Sequence, residues 1–85
     1  MFDKIKQMKQ LMDLQNQLKG EKSESEKNGV KAVINGKMEV ELITLNSSLS
    51  VSEQEKLVRE CVNEAMHKMQ MAMAMKMSQM PGFGL

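Results

Sequence analysis

The stretch Val30-Lys31-Ala32-Val33-Ile34-Asn35-Gly36-Lys37-Met38-Glu39-Val40-Glu41-Leu42-Ile43-Thr44-Leu45 decides the fold. Its first five residues are rich in β-branched side chains, and Asn35-Gly36 is the strongest short signal for a hairpin turn. Beyond the turn, Met38, Val40 and Leu42 alternate with Glu39, Glu41 and Ile43, the period of a strand with one wet face. Residues 30–45 therefore read as a β-hairpin. Alternation fails at Leu42-Ile43-Thr44-Leu45, which fits a bulge or a strand end buried on both faces.

On the N-terminal side, residues 21–28 contain no apolar residue at all, and Gly29 completes the segment 21–29. Periodicity there fits a polar link and a polar edge strand equally, with Asn28-Gly29 marking a turn into the hairpin. Before it, residues 1–20 read as a helical arm: good helix formers throughout, no Pro, and Gly20 as the stop. Met1, Ile5, Met8, Leu11, Met12, Leu14 and Leu18 spread over about half of a helical wheel. Lys6, Lys9, Gln10, Asp13 and Gln17 occupy the wet side.

On the C-terminal side, residues 46–52 are turn-rich, and a long helix is expected over 53–80. Ser52 with Glu55 has capping-box spacing, and Ser50 with Glu53 is a second candidate. Val58, Cys61, Val62, Ala65, Met66, Met69, Met73, Met77 and Met80 form one stripe, with Met71 and Met75 on another side, until Pro81-Gly82 opens the tail 81–85. Methionine at every second position from Met69 to Met77 would suit a strand, but Met, Ala, Gln and Lys favour a helix. The whole is an α+β single domain: N-terminal helix, small antiparallel sheet made of a hairpin plus a candidate polar edge strand, and a long Met-rich C-terminal helix.

Composition sets the function classes. With 85 residues, no Trp or Tyr and two Phe near the ends, the core is built from aliphatic and Met side chains. So short a chain buries little apolar surface by itself, which predicts a homodimer. Met66, Met69, Met71, Met73, Met75 and Met77 are the candidates for that interface or for a partner protein. The net charge of +1 does not announce nucleic-acid binding, but residues 1–19 carry four lysines against two aspartates, a local excess on the arm. The run Met66 to Met80 is broken by His67, Lys68, Gln70, Lys76 and Gln79, so it does not read as a membrane span. One Cys cannot form an internal disulfide, and a cytoplasmic location is expected.

Little here supports an enzyme. Cys61 and His67, six residues apart on a helix, stand about 120° from each other, so a nucleophile pair between them is not expected; Cys61 reads as a small buried hydrophobe. There is no phosphate-binding glycine run, no dinucleotide pattern and no metal-ligand spacing, so neither cofactor, metal nor small-molecule substrate is expected.

The order of these pieces resembles the YbaB/EbfC family of bacterial nucleoid-associated proteins. The resemblance rests on the Lys/Gln/Met-rich first helix, on Val30 to Glu39, on Ile43-Thr44-Leu45-Asn46-Ser47-Ser48-Leu49, and on Leu57, Val58, Asn63, Glu64, Ala65 and Lys68 of the last helix. The tail Met80-Pro81-Gly82-Phe83-Gly84-Leu85 is similar to the Pro-Gly endings common there. It implies a tweezer-like homodimer with projecting helices that bind double-stranded DNA, with little sequence preference, organising the bacterial chromosome or modulating transcription. By position it implies DNA contacts at Lys4, Lys6, Gln7, Lys9, Gln10 and Lys19, with Lys68 and Lys76 as weaker candidates. The alternative expectation is an adaptor whose Met71 and Met75 dock an apolar segment of a transcription or repair protein. Two departures stand out: the polar segment 21–28 replaces an alternating apolar strand, and Asn46-Ser47 replaces Asp-Pro.

Overall fold

The computed structural model describes residues 2–18 and 20–79, with the side chains of residues 2–4, 14, 15, 17 and 18 excepted. Five elements follow one another: α1 (Phe2–Leu18), β1 (Lys22–Lys27), β2 (Val30–Asn35), β3 (Val40–Thr44) and α2 (Val51–Gln79). The α+β expectation holds. The strands form one antiparallel sheet in the order β1-β2-β3, and α2 lies across one face of it.

β1, Lys-Ser-Glu-Ser-Glu-Lys, is a strand despite having no apolar residue, which resolves the ambiguity over residues 21–29. The deciding information is the turn. Asn28 and Gly29 both adopt positive φ, 50° and 85°, as a two-residue hairpin turn matched to strand twist requires. That turn pairs Lys27 with Val30 and carries the register through to Lys22 opposite Asn35. The Asn35-Gly36 signal marks a hairpin too, but of a different kind. Gly36 has no positive φ; Met38 does, at 64°. The Met38 N–H donates to the Asn35 carbonyl (3.0 Å) and the Asn35 N–H to the Glu39 carbonyl (3.0 Å), giving a three-residue loop closed by a left-handed residue. The Asn35 side-chain oxygen also accepts from the Lys37 and Glu39 N–H groups at 2.9 and 3.1 Å. Met38 holds a conformation normally reserved for Gly, and its side chain packs against the Ile34 cluster. The irregularity in β3 falls at Glu41: Val33 pairs with Leu42 but Ile34 with Val40, one residue before the stretch where alternation fails.

The core lies between β2 and α2. Val30, Ala32 and Ile34 on the strand and Cys61, Ala65 and Met69 on the helix are fully buried. Val30, Ala32 and Cys61 make one cluster, joined by Ile43, Leu49, Leu57, Val58 and Val62; Ile34, Ala65 and Met69 make the next, joined by Met38, Val62, Met66 and Met73. The Cys61 thiol donates to the Val30 carbonyl at 3.4 Å, so Cys61 is the buried residue its surroundings in the stripe suggested.

α2 starts two residues earlier than the expected 53, at Val51. Ser50 is the cap: its Oγ accepts from the Glu53 N–H at 3.1 Å and its carbonyl from the Gln54 N–H at 3.0 Å. Both Ser50 and Ser52 satisfy the capping spacing, and the choice is made upstream. Asn46 accepts from the Ser48 N–H through its side chain (3.0 Å) and from the Leu49 N–H through its carbonyl (3.0 Å). This turn sets Leu49 against the core and leaves Ser50 at the helix start. Asn46 Nδ2 also donates to the Asn28 carbonyl at 2.7 Å, tying the helix entry to the first hairpin turn. The helix runs at least to Gln79; Met80 and the tail 81–85 lie outside the described residues.

The chain measures 56 × 19 × 18 Å with a radius of gyration of 16.5 Å, against about 12 Å for a globular chain of this length. The excess comes from its helices: α1 touches the rest of the chain sparsely, and Gly20, at φ 94°, ends it. Gly29→Ala tests the turn. A Cβ there would lie 2.9 Å from Asn46 Nδ2 and hold a non-glycine residue at left-handed φ, so a loss of about 1–3 kcal/mol in urea unfolding is expected.

Candidate nucleic-acid interface

Most of the described cations fall into two groups, while Lys37, Lys56 and Arg59 are exposed and outside both. The first holds the body together. Lys27 on β1 reaches Glu64 at 3.1 Å and Glu60 at 3.8 Å on α2. Lys68 on α2 donates to the Glu24 carbonyl of β1 at 3.0 Å, with Glu64 at 4.0 Å. Lys76 pairs with Glu21 at 2.9 Å. Together these contacts run α2 antiparallel to β1, along a strand that has no apolar side chain to bury. On the sheet itself Lys31 pairs with Glu24 at 3.2 Å and Lys22 with Glu41 at 3.3 Å.

The Lys27–Glu64 pair perturbs both partners consistently. The hydrogen bond and negative charge of Glu64 hold the Lys27 ammonium above its ordinary 10.5, with Glu60 adding to the effect. The hydrogen bond and charge of Lys27 in turn hold the Glu64 carboxyl below its ordinary 4.5. Both groups are solvent-accessible, so their contribution is screened by salt.

The second group lies on α1. Lys6, Gln7 and Lys9 are exposed, and among the described residues Lys6 and Lys9 have no ion-pair partner. Gln10 is half-buried and bonded. The side chain of Lys4 and the whole of Lys19 lie outside the described residues. The other side of α1 is apolar and equally open: Ile5, Met8, Leu11 and Met12 are each at least half exposed. The arm thus presents a cationic and amide edge next to an uncovered hydrophobic one.

Of the candidates on the last helix, Lys68 is engaged by β1 and Lys76 by Glu21 just before it, a role the sequence pattern does not signal because residues 21–29 fit a link and a strand equally. The Met stripe also divides. Met69 is buried in the chain's own core, and Met66 and Met73 pack against it; Met77 is partly buried, whereas Met71 and Met75 are exposed. A second apolar area, which sequence reasoning did not single out, is an open groove of about 450 Å³ lined by Leu45, Val51, Gln54, Glu55, Val58 and Arg59. It lies where β3 hands over to α2, beside exposed Val40 and Leu42 on the sheet's free edge. Only the tertiary structure brings Leu45 next to Val51 and Val58.

His67 is exposed while Cys61 is buried, so the two side chains point to different environments. Among the described residues, no group of three or more His, Cys, Asp or Glu side chains is placed to hold a metal ion, and no helix is long and apolar enough to cross a membrane.

The chain is thus a two-layer α+β body carrying an amphipathic helix with exposed lysines. The model of the YbaB/EbfC DNA-binding family matches residues 1–84, and the chain belongs to that family. No curated protein and no solved structure gives a significant match.

The strand-to-helix ion pairs make a pH prediction. Glu64, with its pKa lowered by folding, contributes stability that is present above its ordinary 4.5 and lost as pH falls through the lowered value. Lys27, with its pKa raised, contributes below its ordinary 10.5 and loses the contribution as pH rises through the raised value. The stability difference between the native chain and Glu64→Gln, read by denaturant unfolding, is therefore expected to plateau between those limits. It should close at both extremes and shrink in high salt.

Proposed function

We propose that this chain binds double-stranded DNA as a homodimer, largely through the phosphate backbone, and acts at the nucleoid in chromosome organisation or transcription. The observation that carries the reading is the exposed pair Lys6 and Lys9 on a helix that touches the rest of the chain only sparsely. Most lysines of the sheet and α2 are meanwhile engaged in ion pairs. Ammonium groups free to meet phosphates release counterions on binding and position the protein without reading bases. Gln7 and Gln10 add amide groups, and Lys4 and Lys19 are further cations close by in sequence. Membership of a DNA-binding family, not an enzyme family, supports the same conclusion.

Self-association follows from surface chemistry. Ile5, Met8, Leu11 and Met12 on α1, and Val40, Leu42, Leu45 and Val51 around the β3 edge, are exposed in a single chain. Apolar area of this extent on so small a chain, beside an unpaired strand edge, favours burial against a second copy. A dimer would also double the basic arms and so the number of phosphates engaged. Its interface is expected on these surfaces more than on Met66, Met69 and Met73, which the chain's own core occupies. A second reading, an adaptor docking an apolar partner segment, draws on the exposure of Met71 and Met75.

Fluorescence anisotropy against random-sequence duplex at two salt concentrations, with the mass fixed by light scattering, tests both. Salt-sensitive binding by a dimer is expected. Lys6→Ala with Lys9→Ala should lower the affinity and flatten the plot of log K against log salt by about 0.9 for each phosphate no longer engaged. An unchanged slope would remove these two residues from the interface. Absence of binding at low salt by a folded dimer would favour the adaptor.

A further inference from the structure

The groove where β3 hands over to α2 brings three apolar residues, Leu45, Val51 and Val58, together with one acid and one base, Glu55 and Arg59. Leu45 and Val51 are 59% and 70% exposed, so a single chain leaves this lining largely in water. Gln54, also on the groove, is held in place by donating from Nε2 to the Leu49 carbonyl at 3.2 Å. Glu55 and Arg59 are exposed, and among the described residues neither has an ion-pair partner. Lys22, Lys27, Lys31, Lys68 and Lys76, by contrast, all find carboxylates within the chain. Lys37 and Lys56, the other exposed cations of the body, do not line the groove.

Resting on the homodimer reading above, we propose that this groove is one half of a two-fold interface, covered by the same groove of a second copy, with Glu55 of each chain paired to Arg59 of the other. The charge order is what selects a second copy as the occupant. Glu55 and Arg59 stand four residues apart, about 6 Å along the helix axis. A two-fold axis crossing α2 midway between them runs the partner helix in the opposite direction. It sets Glu55 opposite the partner's Arg59, repeats the contact in reverse, and brings Val58 beside its own counterpart. A foreign segment would have to carry a base and an acid in the reverse order beside an apolar face, which a second copy supplies by symmetry. The uncovered apolar surface also continues past the groove onto Val40 and Leu42 on the free edge of β3, so the contact extends toward the area that a stable dimer buries and shields an edge open to stray pairing. The surface is separate from Lys6 and Lys9, which stay available to phosphates.

Sedimentation equilibrium of the full chain and its variants tests the pairing, with circular dichroism confirming that each variant keeps its helix content. Glu55→Arg and Arg59→Glu each place like charges opposite one another at both ends of the contact, so each alone should weaken the dimer at least about tenfold. Mixed in equal amounts, the two variants should form a heterodimer, seen by native mass spectrometry, because each chain then carries the charge that the other lacks. Pairing of residues 55 and 59 within one helix cannot produce that recovery, since each variant stays like-charged within itself. Glu26→Arg and Lys37→Glu make the same changes of net charge away from the groove and should leave the dissociation constant as it was. A native chain that dimerises while both reversals leave its dissociation constant unchanged would overturn this interface and leave the homodimer standing, whereas a native chain that stays monomeric would overturn both. Reversals that weaken the dimer with no heterodimer on mixing, or control changes that weaken it equally, would also overturn the reciprocal pairing.

Discussion

Everything in this small protein depends on the close approach of α2 to β2. Val30, Ala32 and Ile34 face Cys61, Ala65 and Met69, and all six are fully buried. The fit works because residue sizes alternate across the contact: Ala32 and Ala65 let strand and helix backbones draw near, while Ile34 and Met69 fill the space at one end and Val30 with Cys61 the other. Burial of branched and Met side chains at roughly 25 cal/mol per Å² is the main favourable term for a chain this short. No aromatic bulk contributes, so there is little redundancy. Enlarging Ala32 or Ala65 would push the layers apart along their whole length.

With that contact in place, β1 can be entirely polar. A strand of Lys, Ser and Glu has no hydrophobic reason to join a sheet. It joins because a tight turn at Asn28-Gly29 delivers it to β2 in register, and because α2 then offers partners along its length: Glu60 and Glu64 for Lys27, Lys68 for the Glu24 carbonyl, and Lys76 for Glu21. Each contact is solvent-accessible and individually modest. Arranged in a row between two elements already positioned, they align the helix on the strand. The use of lysine here engages Lys22, Lys27, Lys31, Lys68 and Lys76 with carboxylates of the body, while Lys6 and Lys9 on α1, like Lys37, Lys56 and Arg59 on the body, face solvent.

The same division shapes the apolar surface. The chain buries one side of the Met-rich helix and leaves Met71 and Met75 outside, just as α1 leaves Ile5, Met8, Leu11 and Met12 uncovered. Lysine and methionine each occur in a structural and an exposed population.

Much of the fold was legible without coordinates because period and capping chemistry are local. The helix Phe2–Leu18, the hairpin, the long helix and the Cys61–Ala65–Met69 stripe all follow from spacing and from Asn-Gly, Ser and Gly signals. The exposed positions of Lys6, Gln7 and Lys9 on the first helix were equally legible. The remainder was decided by contacts between residues distant in the chain. That residues 22–27 pair as a strand depends on a register set from across the turn. Ser50 rather than Ser52 caps α2 because Asn46 and Leu49 are anchored to the first hairpin and to the core. The left-handed residue of the second loop is Met38 and not Gly36, and its side chain packs against the cluster of Ile34, Ala65 and Met69. Lys68 and Lys76, which look like any exposed helix lysines, are taken up by β1 and the residue that leads into it, far away along the chain. Periodicity reports which face of an element is apolar; only the packed structure assigns that face, and each charge beside it, a partner.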